Sequence, residues 1–159
     1  MSDFSVTWSL VRGRFDDAVA GLSEEQLNWR LHAGTLTIGE MMLHVAGVEV
    51  SFITQLQGQE PEGFAGRLKQ AATEGVVNEN AFPFAVEEIT PELTAEALSL
   101  ARQLVTPVIE NPDPYRGNTI KSALGPMIDG TGTFARLAYH PGYHQAQVHM
   151  IKSAPGYPG

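Results

Sequence analysis

The chain has 159 residues, 43% of them hydrophobic and 18% charged, the size and composition of one soluble globular domain, expected to span residues 1–159. A net charge of −8 with ten scattered basic residues argues against nucleic acid as a partner, because phosphate binding needs clustered Lys and Arg. With no cysteine there are no disulfides, no thiolate metal ligands and no cysteine nucleophile, so any thiol chemistry must use a thiol carried on a small molecule. No basic leader precedes an apolar run and no apolar stretch is long enough for a bilayer, so the expectation is a cytoplasmic protein that does not enter membranes.

Four long helical patterns follow one another, and little reads as strand. In the first, near residues 4–21, Phe4, Trp8, Val11, Phe15, Val19 and Leu22 recur at intervals of three and four, leaving Arg14, Asp16 and Asp17 for water. Ser23 to Gln26 has the form of a capping box and opens a further short turn, and residues 29–35 form an irregular connector. The second pattern, near residues 37–57, starts at the capping box Thr37-Ile38-Gly39-Glu40. Its stripe is Ile38, Met41, Val45, Val48 and Phe52. His44 falls about 60° from Met41, at the margin of that stripe, and should look inward.

From residue 57 to about 89 the periodicity is poor. Residues 64–72 can form two helical turns, and Phe82-Pro83-Phe84 reads as extended or turn. A connector of this length serves as a lid, a pocket wall or a crossover, and composition does not choose among them. The third helix, near residues 90–110, has Thr90 as N-cap, Pro91 at its first position and Leu93, Ala97, Leu100, Leu104 and Val108 inside. Pro107 should kink or end it. A loop follows from Asn111 to Pro126. The last helix, near residues 127–153, gathers Phe134, Leu137, Pro141, His144, Val148 and Ile151 on one side, with His140 and Gln147 along the same edge.

Three of the five histidines lie within residues 139–149. His140 and His144 stand four apart, which puts both imidazoles on one helix face, one turn above the other. Two neutral imidazoles so placed can close on one transition-metal ion. A pair is not a site, and His44 is the candidate third ligand. His149 lies about 140° round the helix from His144 and should point away, and His32 sits in the irregular connector as a surface residue.

A Thr-x-x-Glu capping box, a histidine four residues after its glutamate, and a late His-x-x-Tyr-His-x-x-Gln segment together resemble the DinB-like, or YfiT-like, family of metal-binding helical proteins. The matching landmarks, in order, are Trp29, Thr37 to Glu40, His44 to Glu49, and His140 to Gln147. The resemblance implies an all-α four-helix bundle, up-down-down-up, with a long crossover between the second and third long helices. It implies one divalent metal, zinc or nickel, held by His44, His140 and His144, and relatives often pair as homodimers. Two residues depart from the pattern. Pro141 separates the two late histidines, so it either starts a new helical segment with His140 at its cap or kinks one helix. Ala146 stands where relatives often have glycine.

Three ligands leave an open position, the arrangement of a catalytic site rather than a closed structural one. The family resemblance, with this open position, implies a metal-dependent hydrolase, or a transferase or isomerase using a low-molecular-weight thiol, acting on a small-molecule substrate. The alternative is a non-catalytic metal-binding stress protein whose pocket holds a ligand. Glu40 and Glu49 are the candidate acid–base or supporting carboxylates, although Glu40 already has a capping role and Glu49 can simply be solvated. Gln147 is better suited to orienting a ligand or bridging helices than to touching the metal.

Overall fold

The computed structural model describes residues 2–159, whose regular structure is six α-helices, two single-turn 3-10 helices (Val86–Glu88 and Asp113–Tyr115) and one short hairpin. Four helices are long: α1 (Asp3–Val19), α3 (Ile38–Leu56), α5 (Pro91–Glu110) and α6 (Gly130–Lys152). Two are short, α2 (Glu24–Asn28) and α4 (Gly63–Ala71), and the hairpin pairs β1 (Thr119–Lys121) with β2 (Met127–Asp129) antiparallel. None of these helices is long and apolar enough to cross a membrane.

The capping signals hold atom by atom. At α3, Thr37 Oγ1 accepts from the Glu40 amide at 3.2 Å while Glu40 Oε2 accepts from the Thr37 amide at 2.7 Å. Ser23 and Gln26 close the same box at α2. Thr90 caps α5, where Pro91 begins the helix without an amide to leave unsatisfied. These local hydrogen bonds satisfy donors that a helix start otherwise leaves orphaned.

The most buried element is α3. Every residue of it except Gln55 is buried, so it has no solvated face and the expected stripe is only part of its contact surface. Helices α4, α5 and α6 pack around it, and α1 packs chiefly against α6. Such all-round burial is how an all-round apolar helix is used in a globular core. Its stretch from Met41 to Val48 carries one ionisable side chain, His44.

Several expectations change in detail. Residues 119–121 and 127–129 are strands rather than loop and helix, so α6 begins at Gly130 with Asp129 as its cap. The strand pairing is a local hairpin three residues long, and Gly125 lies in its turn at φ +105°. Helix α5 keeps its expected bounds, running through Pro107 to Glu110, so of the two effects foreseen for Pro107 the ending does not occur. Helix α6 likewise runs through Pro141, so no new segment starts at that residue.

Candidate metal centre

His44 comes from the middle of α3, and His140 and His144 from successive turns of α6. Where these helices meet, the Nε2 atoms of His44 and His140 are 3.2 Å apart and those of His140 and His144 are 3.1 Å apart. The three rings stand nearly edge-to-face, with centroids 4.6–5.0 Å apart. His44 and His144 are each only 4% exposed. Pro141 leaves His140 turned into this cluster, so neither its ring nor the helix constraint removes it from the site.

The ring of His44 is aimed by its surroundings. Its Nδ1 donates to the Ala71 carbonyl at 2.8 Å, which leaves Nε2 as the bare lone pair facing the other two histidines. That bond depends on Gly47. A Cβ there would collide with the Leu68 carbonyl oxygen and crowd the Ala72 amide, so glycine lets the end of α4 lie directly on α3 beside His44. On α6, Gln147 lies beside His144. The Gln147 Oε1 and His144 Nδ1 are both buried without a hydrogen-bond partner.

Burial holds all three imidazoles neutral. It lowers the pKa of His44, against the Ala71 hydrogen bond, and pushes His140 well down with help from His144 and His44. His144 is lowered to about 4, again by burial first and then by His44, against the influence of Gln147. Neutral rings are the ligating form.

Mutual hydrogen bonding cannot account for the arrangement. A neutral His140 has at most one proton to offer at Nε2, and His44 Nε2 has none, so only one of the two nitrogen–nitrogen contacts can be a hydrogen bond. A metal ion resolves the conflict. Nitrogens bound tetrahedrally at about 2.0–2.1 Å from one ion lie about 3.3 Å apart, close to the separations here. The three histidines could thus hold a metal ion.

The cluster forms one wall of a cavity of about 640 Å³. Val48 and Phe52 of α3 continue that wall, residues 72, 76 and 77 beyond α4 form a second, and Ala123 and Leu124 of the hairpin turn form a third. Arg136, Tyr139 and Tyr143 of α6 complete it. The connector after α3 is thus a pocket wall in its stretch from 72 to 77. The lining is predominantly apolar and includes no carboxylate, as befits a small-molecule pocket with a few placed polar groups. A smaller depression of about 360 Å³ between α1, α2 and α5 has no cluster of ligand atoms.

The two carboxylates singled out from the sequence lie elsewhere. Glu40 closes the α3 capping box and pairs with Arg30 at 2.7 Å. Glu49 is not solvated: it is 1% exposed, and its carboxylate accepts from Trp8 Nε1 at 2.9 Å and from Arg12 Nε at 3.1 Å. Neither lines the cavity. His32 and His149 are exposed and apart from the cluster, as their positions imply. Sequence reasoning missed Arg136 and the two tyrosines. A signal for Arg136 was present, because it precedes His140 by four residues, as His140 precedes His144.

The profile described as DinB superfamily matches residues 7–148, most of the chain and all three histidines. No curated protein and no solved structure matches it.

Proposed function

The chain belongs to the DinB superfamily, and from that footing we propose that it is a metal-dependent enzyme whose single divalent ion, zinc or nickel, is held by His44, His140 and His144. The observation that carries this reading is the convergence of three neutral Nε2 atoms, two from buried histidines and one from the half-buried His140, on one wall of an apolar cavity. A bound divalent ion supplies Lewis acidity, which favours the deprotonated form of a water or thiol beside it. The protein's own part is to aim His44 through the Ala71 carbonyl and to wall the cavity with the buried side chains of Val48 and Phe52.

Between the two reaction classes, transfer from a low-molecular-weight thiol is favoured over hydrolysis. Hydrolysis calls for a carboxylate or free imidazole to take a proton from water, and Glu40 and Glu49 are both engaged outside the cavity. A small thiol brings its own nucleophile, consistent with a chain that has no cysteine. The same lack of a general base supports the second reading, a non-catalytic metal-binding stress protein that holds a small ligand. We also propose the up-down-down-up path for α1, α3, α5 and α6, with residues 57–90 as the long crossover. It is supported by the pairing of α1 with α6 and of α3 with α5. A cytoplasmic homodimer completes the proposal, and the exposed Leu10, Tyr143 and Met150 on α1 and α6 suit such a contact.

The test is thiol-transfer activity before chelation, after it, and after adding back zinc or nickel. Activity should vanish and return. Activity indifferent to complete metal removal overturns the enzyme reading, and metal binding with no transfer to any of a panel of electrophiles favours the second one.

A further inference from the structure

Arg136 stands apart from the other arginines that are buried or half-buried. Those are Arg12, Arg67 and Arg102, and each pairs with a carboxylate. Of the exposed arginines, Arg30 and Arg116 do so as well, and Arg14 has no such partner among the described residues. Arg136 is half-buried in the cavity wall and has no ion pair or side-chain hydrogen bond among the described residues. A guanidinium is always charged and presents a fork of hydrogen-bond donors.

Its register fixes what it can reach. Arg136, His140 and His144 are four residues apart on α6, so they follow one helix face at steps of about 6 Å. Tyr139 and Tyr143 form a parallel row beside them, ring centroids 6.2 Å apart. The cavity therefore has a histidine end and a cationic end about one to two helical turns apart, joined by Val48, Phe52 and the tyrosines. No carboxylate lines it to offset the charge of Arg136.

From this arrangement we propose that the cavity takes a small apolar molecule bearing a carboxylate, which pairs with Arg136 while the other end of the molecule faces the histidine cluster. One guanidinium with no lysine in the wall matches a planar monoanion, which it can engage through two parallel hydrogen bonds, rather than a phosphate dianion. The placement of the far end rests on the metal reading above. The carboxylate subsite does not, because it depends only on Arg136 and the apolar walls.

Two matched pairs of probes separate these. On zinc-loaded protein, 6-mercaptohexanoate should bind about tenfold more tightly than 6-mercaptohexanol by calorimetry, the scale of one charge-assisted contact. In Arg136→Gln that preference should fall to near one with zinc content unchanged, and Arg136→Lys should keep part of it. On chelator-treated protein, hexanoate against hexanol, followed by ligand-observed NMR, should show the same dependence on Arg136. Equal binding of acid and alcohol to the wild-type chain, or a preference that survives in Arg136→Gln, overturns the proposal. If zinc adds nothing to the affinity of the thiols but the hexanoate preference persists, the metal reading fails and the carboxylate subsite stands.

Discussion

His44 and Glu49 lie five residues apart on α3, both nearly excluded from solvent, and their surroundings are opposites. Around Glu49 the polar groups close on one another. Trp8 and Arg12 donate to its carboxylate, and Arg12 goes on to the Leu98 carbonyl and to Asp16, which also holds Arg102. Charge is balanced there and donors are matched by acceptors. Around His44 the lone pairs converge instead. Three nitrogens face one point, with protons enough for only one of the two contacts, in the wall of a cavity. The difference teaches which buried polar groups are architecture and which are chemistry: burial is common to both, and satisfaction is not.

Breaking the closed cluster should produce the largest loss of stability and no loss of site. Arg12→Ala strands the Glu49 carboxylate in the core, a change that typically costs about 3–5 kcal/mol. For a domain of this size that lowers Tm by roughly 6–20 °C. Metal content per folded molecule should be unchanged, measured after gel filtration. A similar loss of metal would join the two regions into one.

The open cluster should respond to what enters it. Zinc at about a thousand times its Kd stabilises by about 4 kcal/mol, or roughly 8–16 °C in Tm. His144→Ala should abolish most of that rise, and Arg12→Ala should retain it from its lower starting point.

Acid should find the same weakness in metal-free protein. The histidines have lowered pKa values when folded, so below the ordinary value of 6.5 the unfolded chain binds protons that the folded chain refuses. Stability is then complete above pH 6.5 and declines as pH falls toward about 4, the value to which His144 is lowered. Urea titrations at pH 7 and pH 5 should show the decline, and His144→Phe should flatten it. An equally steep decline in that variant would place the proton uptake elsewhere.

The smallest effect is expected at Glu40, whose carboxylate serves a cap. Thr37→Ala should cost about 1 kcal/mol by urea titration while leaving zinc binding intact. Loss of metal in that variant would show that the capping box does more than start a helix.

What was legible in the sequence was local. Thr37, Ser23 and Thr90 announce helix starts because their partners lie within three residues, and the spacing of His140 and His144 sets their shared face. The inward turn of His44 was readable from its angle to Met41. Three things were not readable. The burial of Arg12 follows from its contact with Glu49, 37 residues away in the chain, and no periodicity encodes that pairing. The β1–β2 hairpin consists of strands too short to show alternation. The cavity walls at residues 72–77 and 123–124 come from segments with weak patterning, so Arg136 had a visible spacing but no visible pocket to point into.

The central claim is that the convergence of His44, His140 and His144 is a metal site rather than core packing. Elemental analysis of zinc-equilibrated His44→Ala, His140→Ala, His144→Ala, His32→Ala and His149→Ala tests it directly. Removing one of three preorganised ligands should reduce occupancy far below the wild-type level in the first three variants, while the last two, which alter exposed side chains, should stay at it. Full occupancy in both His44→Ala and His144→Ala would contradict the account and make the cluster a feature of packing.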